Sequence, residues 1–250
     1  MSNAAEPSFT EDRLLGGRVR LKQPAAGYRV AIDSVFLAAS VSAEPHQLIL
    51  DVGCGSGAAM LCLAARVPHS RVVGLEMQRD LVRLAGDNVI LNGLEARASV
   101  MIGDLLQPPP RLSPGAFDHV MANPPFNERG RAPAATTAGK SRSTIEGDAD
   151  LGNWVRFSLA MVRAKGTVTF IHRADRIDAL LGHVAGRAGE VVVFPLWPGQ
   201  GKPASRILVR LRKQAAAPAR LAAGLVLHEV DGRLTRDAEG ILREGRGLEM

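Results

Sequence analysis

The chain has 250 residues, 46% of them hydrophobic, and a formal net charge of +6 at pH 7. That length and apolar content suit one substantial core and do not call for two domains, while the basic balance suits an anionic partner. No run approaches the ~18 apolar residues of a membrane span, Cys54 and Cys62 form neither a disulfide framework nor a zinc pattern, and the six histidines lack metal-ligand spacing. The expectation is therefore no membrane partner, no metal and a reducing, cytoplasmic setting, with no secretion signal at the N-terminus.

In chain order, Arg18 to Ser42 reads as a hairpin or extended piece, a turn at Pro24 to Gly27, and an apolar helix through Ile32 to Ala39. Strand-like runs follow at Leu48 to Val52, Arg71 to Leu75, Ala98 to Ile102 and Phe117 to Ala122, separated by helices over Ala58 to Arg66 and Gln78 to Leu91. This alternation predicts parallel strands with crossover helices on both faces. Asn127 to Asp150 is rich in Gly, Ala, Ser, Thr and charge, and reads as a loop or lid. Beyond it come a helix from Leu151 to Arg163, a strand Thr167 to His172, a helix Asp175 to Ala188, and strands Glu190 to Leu196 and Arg206 to Arg212, the last pair antiparallel. The fold class is α/β: a Rossmann-like sheet of seven strands, mostly parallel, with an antiparallel last strand and helices on both faces. The Ala-rich stretch after Lys213 reads as a tail connector.

Asp51-x-Gly53-x-Gly55-x-Gly57 follows the first of the parallel strands and opens a helix, so glycines stand where the backbone turns tightly and approaches a ligand. The order is GxGxG, which differs from the dinucleotide fingerprint GxGxxG. With an acid before the first glycine, it resembles the S-adenosylmethionine loop of class I methyltransferases. Glu76 ends the next strand, where a carboxylate can accept both ribose hydroxyl protons, and Asp104 ends the third, the position from which the proteins it resembles contact the adenine amino group. Ligands of an open parallel sheet bind outside the carboxyl ends of its strands, so the three acids fall in meaningful registry. Cys54 reads as a small loop residue.

Asn123-Pro124-Pro125-Phe126 ends the fourth strand. The two prolines remove amide donors and leave carbonyl acceptors. The Asn123 side-chain oxygen and the Pro124 carbonyl can accept both protons of one planar NH2 group, and Phe126 can stack on a flat substrate. A hydroxyl substrate would instead call for a nearby base or a metal.

Together these four motifs resemble the class I amino-methyltransferases, which include adenine-N6, guanine-N2 and glutamine-N5 enzymes. The flanks Gln23 to Ser34 and Lys202 to Arg210 are similar to those of the bacterial tRNA(Val) (adenine-N6)-methyltransferases. The resemblance covers Leu14 to Arg243 and implies S-adenosylmethionine as cofactor, S-adenosylhomocysteine as product, and an adenine amine of RNA, in particular tRNA, as substrate. It carries Asn123, Pro124, Pro125 and Phe126 onto the acceptor amine, and Asp51, Gly53, Gly55, Gly57, Glu76, Asp104 and Asn123 onto the cofactor. Phe126 stands where Tyr is more frequent, which keeps stacking but removes a hydroxyl. The implied layout is a single domain: an extension over residues 1–45, a core over 46–213 and a tail over 214–250.

Tyr28 and Arg29 are candidates to cover the cleft, with a structural Arg29–Asp33 pair as the alternative. Arg129 in the loop, and Lys202 and Arg206 near the last strand, are candidates to meet RNA phosphates. The competing functions are methylation of a protein glutamine amide, small-molecule O-methylation, and RNA binding without turnover. Oligomeric state is not written in the sequence.

Overall fold

A computed structural model describes residues 9–25, 32–125 and 149–250. Two strands, β1 (Phe9–Leu14) and β2 (Val19–Pro24), form an antiparallel hairpin in the register Phe9↔Pro24 to Leu14↔Val19. The hairpin begins earlier than the sequence suggested, since β1 precedes Arg18 and its alternating exposure lacks an apolar run. Helix α1 (Ile32–Ser40) follows and is buried along nearly its whole length.

The main sheet contains β3 (Leu48–Val52), β4 (Arg71–Glu76), β5 (Ala98–Ile102), β6 (Phe117–Ala122), β7 (Val162–Arg173), β8 (Ala188–Trp197) and β9 (Arg206–Lys213), with short edge strands β10 (Arg220–Leu221) and β11 (Leu225–Val226). Its order is β10-β8-β9-β7-β6-β3-β4-β5, with β11 also on β8. Strands β3 to β7 are mutually parallel, and β9 lies antiparallel between β7 and β8. The seven long strands are those expected from the sequence; β10 and β11 are additions, each two residues long and therefore without a readable period.

Helices α2 (Ala58–Arg66), α3 (Arg79–Leu91), α4 (Leu151–Met161), α5 (Ile177–Val184) and α6 (Arg236–Leu242) complete the elements used below. Alternation along each strand divides the core into two layers. Ile49, Met121, Ile171 and Leu208 join α1, α2 and the C-terminal segment on one face, whereas Leu50, Val120, Phe170 and Val209 join α4 and α5 on the other.

Two boundaries differ from expectation for local reasons. Helix α4 ends at Met161, because Val162 already pairs with Phe117 and a register shift then separates it from the His119↔Thr167 row. Gly166 permits that close crossing: a Cβ there would lie 2.6 Å from the Asp118 carbonyl oxygen. Helix α5 starts two residues late, after a 3-10 turn at Ala174–Arg176, and stops at Val184 before the left-handed Gly186.

The tail is a larger departure. Residues 214–250 return across the α1 face, where Leu227, Ala238, Ile241 and Leu248 are buried in the same cluster as Leu15, Val19, Phe36 and Leu37. The Leu248 amide donates to the Ala39 carbonyl at 2.8 Å, and Arg210 Nη2 donates to the Met250 carbonyl at 3.1 Å. Burying one leucine in this way contributes about 1.5–3 kcal/mol.

Candidate functional site

The glycine loop joins β3 to α2 at the carboxyl edge of the sheet. Gly53, Gly55 and Gly57 have φ of +66, +57 and +91°, values that L side chains rarely adopt. The Gly53 and Cys54 amides donate to the Leu75 carbonyl at 2.8 and 3.1 Å, which ties the loop to β4. Trp154 of α4 packs beneath it, and a Cβ on Gly53 would lie 2.5 Å from its ring. Loop shape is thus held from both the strand and the helix side.

Asp51 is 2% exposed, and its Oδ2 accepts the Met60 amide at 3.1 Å. That amide belongs to the first turn of α2, whose cap residue Gly57 has no side chain to satisfy it, so the acid of β3 takes the capping role. Burial pushes the Asp51 carboxyl up to about 8; the Met60 hydrogen bond works against this, and the Glu76 charge adds to it. A cation at this end of the loop would relieve that cost, which is the electrostatic demand of an aminoacyl ammonium.

Glu76 is 5% exposed and each of its oxygens is already engaged: Oε2 accepts the Gly55 amide at 3.0 Å and Oε1 the Gln78 amide at 2.9 Å. A carboxylate has about four acceptor sites, so it can brace the loop and still take hydroxyl protons. Asp104 Oδ1 accepts the Leu106 amide at 2.9 Å. Around these acids the chain exposes Met77 (64%), Ile102 (46%) and Leu106 (41%). Sequence reading did not single out these apolar side chains, which could clasp a flat ring beside the Glu76↔Ile102 pair; their signal was apolar residues within two positions of each acid at a strand end.

Asn123 follows β6 at the same edge. Its Oδ1 is buried without a hydrogen-bond partner, an acceptor left open where an amine proton would fit. Pro124 is buried and Pro125 half-buried. His172, at the end of β7, is fully buried against the Pro125 backbone; burial, Arg176 and Arg206 push its pKa down to about 4, against the opposing hydrogen bonds to Pro125 and Arg173. Sequence reading passed over this histidine because it belongs to no spaced motif.

Phe126, Tyr28, Arg29 and Arg129 lie outside the described residues. The alternative pairing of Arg29 with Asp33 therefore also falls outside the described residues; within them, Asp33 receives the Nε of Arg206 at 2.9 Å. Arg206 is therefore tied to α1, and its Nη1 also donates to the Ser205 carbonyl at 3.1 Å. Lys202 is exposed in the connection from β8 to β9. Burial raises the Cys54 thiol well above its usual range, so it is a packed loop residue, its sulfur close to Gly74. No group of three or more His, Cys, Asp or Glu that could hold a metal occurs among the described residues.

The fold is a methyltransferase fold, and the chain's likeness to known methyltransferases supports S-adenosylmethionine as the cofactor. Residues 26–139 match the methyltransferase small domain family, a span that holds the glycine loop, both later acids and Asn123-Pro124-Pro125. The chain is similar to the tRNA1(Val) (adenine(37)-N6)-methyltransferase of Vibrio campbellii, 25% identical over 83% of this chain and 84% of that one. It is also similar to an rRNA N(6)-adenosine-methyltransferase of Caenorhabditis elegans, 23% identical over 66% of this chain and 69% of the relative. Among solved structures, a predicted O-methyltransferase from Agrobacterium tumefaciens superposes with a TM-score of 0.72 at 23% identity, covering 87% of this chain and 98% of that one. That likeness establishes the fold.

Proposed function

We propose that the protein methylates the exocyclic N6 amine of an adenine in RNA, with tRNA as the substrate class. The observation that carries this reading is the buried, unpartnered Asn123 Oδ1 at the edge where Asp51 and Glu76 also converge. Its relatives' names add an adenine-N6 target in tRNA or rRNA.

The residues fit the cofactor. Asp51 and the glycine loop would hold its aminoacyl end, Glu76 its ribose, and Asp104 its adenine. When bound, S-adenosylmethionine supplies an electrophilic methyl carbon. Asn123 Oδ1 and the Pro124 carbonyl would accept the two N6 protons, holding the amine so that its lone pair is drawn out of ring conjugation. The proton leaves after the new C–N bond has formed, so no strong base is required. His172 would be a poor base for a hydroxyl acceptor, because it is buried and its pKa, pushed down to about 4, gives it little affinity for a proton. Phe126, by its place in the motif, would stack on the adenine. The basic charge of the chain would favour RNA through phosphate contacts.

The test is incubation with methyl-labelled S-adenosylmethionine and either bulk unmodified tRNA or total protein, followed by digestion. Label in N6-methyladenosine is the expected result. Label only in protein or in small molecules would overturn the proposal.

A further inference from the structure

Trp197 closes β8, and Gly199, Gln200, Lys202 and Pro203 of the following connection, with Val226 of β11, line an open cavity of about 520 Å³. Sheet geometry places this cavity relative to Asn123. Strand β8 runs parallel to β6, separated from it by β7 and β9, and the paired rows put Ala122, Phe170, Val209 and Val193 at one level. Three strand spacings of about 4.8 Å give a lateral distance of roughly 14 Å. Both Asn123 and Trp197 lie at the carboxyl edge, so one strand of nucleic acid crossing that edge meets both.

The lining suits a nucleotide. The Trp197 indole is fixed by its Nε1 donating to the Ala223 carbonyl at 3.1 Å, and Leu227 donates to the Trp197 carbonyl at 2.8 Å. The Lys202 stem runs over Gly199, 3.5 Å from where a Cβ would stand, and its ammonium makes no ion pair among the described residues. A preset aromatic plate beside an uncommitted cation matches a base and its phosphate. Arg206, by contrast, is held by Asp33.

We propose that this cavity docks a nucleotide flanking the methylated adenine, with its base on Trp197 and its phosphate on Lys202. This rests on the reading of the protein as an RNA methyltransferase. The occupant follows from the pairing of a fixed indole with an ammonium that makes no ion pair among the described residues, at the carboxyl edge that also carries Asn123.

The test measures methylation and binding of bulk unmodified tRNA by the full chain and by Lys202→Glu, Trp197→Ala and Trp197→Phe, with cofactor affinity as the folding control. Lys202→Glu should raise the KM for tRNA about tenfold and flatten the log–log salt dependence of binding by at least about 0.7. Trp197→Ala should raise KM by roughly 5- to 100-fold, with Trp197→Phe restoring most of the loss. Lys202 is exposed, so its variant remains informative even if Trp197→Ala fails to fold. Methylation of tRNA by the native protein together with an unchanged KM and salt slope in Lys202→Glu would overturn the docking site alone. No methylation of any RNA by the native protein would overturn the functional reading, and this site with it.

Discussion

At Asn123 the protein leaves a buried side-chain oxygen without a partner, although such an atom ordinarily costs about 1–3 kcal/mol. The proposed role as acceptor of a substrate amine would account for that cost, because the missing proton would arrive with the substrate. Asn123→Ala should leave cofactor affinity nearly intact and lower kcat by about a hundredfold or more, measured by isothermal titration and steady-state methyl transfer. Asp51 gives a different prediction. Its carboxyl titrates near 8 in the unliganded fold and near 3.8 in an unfolded chain. The folded state therefore binds the proton more tightly, so this group's contribution to stability is greatest below about pH 4 and is lost as pH rises towards 8. In Asp51→Asn that loss disappears. Melting temperatures should show the variant gaining on the native protein between about pH 4 and about pH 8, while its cofactor affinity falls. A constant difference across that range would rule out the buried-acid account.

Among the elements, α3 does more than cover the sheet. Asn88, fully buried, accepts the Lys22 amide through Oδ1 at 2.8 Å and donates through Nδ2 to the Lys22 carbonyl at 2.8 Å and the Ser56 carbonyl at 2.9 Å. Asn92, one turn later, accepts the Arg20 amide at 2.8 Å and donates to its carbonyl at 2.7 Å. Asn88 within α3 and Asn92, which caps its C-terminal end, thus supply the hydrogen bonds that a neighbouring strand would give to β2, and the first also anchors the glycine loop. Asn88→Ala should cost about 2–4 kcal/mol of stability in denaturant titration and weaken cofactor binding, whereas Asn92→Ala, being more exposed, should cost less and spare the cofactor. Equal effects on cofactor affinity would refute the link between the hairpin and the loop.

On the scale of the whole molecule, residues 214–250 act as a clasp. They bury α1 from the outside and bring Arg18 Nη2 to the Glu244 carbonyl, joining the N-terminal hairpin to the last segment. Removal of residues 214–250 should uncover Phe36, Leu37 and their neighbours, giving a chain that aggregates and melts well below the intact protein. Leu248→Asp should reproduce part of this, by about 3 kcal/mol in equilibrium unfolding, because a charge would enter an apolar cluster. An unaltered melting temperature in that variant would mean that the tail is not part of the cooperative unit.

Much of this was already legible along the chain. The alternation of apolar strand and helix runs set the sheet, because burial on both faces demands continuous apolar strands; Leu48–Val52 and Ala58–Arg66 fall where their patterns placed them. The loop glycines and Asn123-Pro124-Pro125 were readable because their backbone demands are local. What depended on partners distant in sequence was not. That Asp51 caps α2, that Glu76 braces Gly55, and that Arg206 pairs with Asp33 are products of strand order. The same holds for His172 behind Pro125, for Asn88 bridging two backbones, and for the tail that turns back as a clasp. Sequence by itself determined the sheet and the residue types offered to a cofactor and an amine, since periodicity and backbone permission are properties of short segments. Only the tertiary structure decided which polar groups are already satisfied and which, like Asn123 Oδ1, remain open, because hydrogen-bond satisfaction is settled by what lies next to an atom in space.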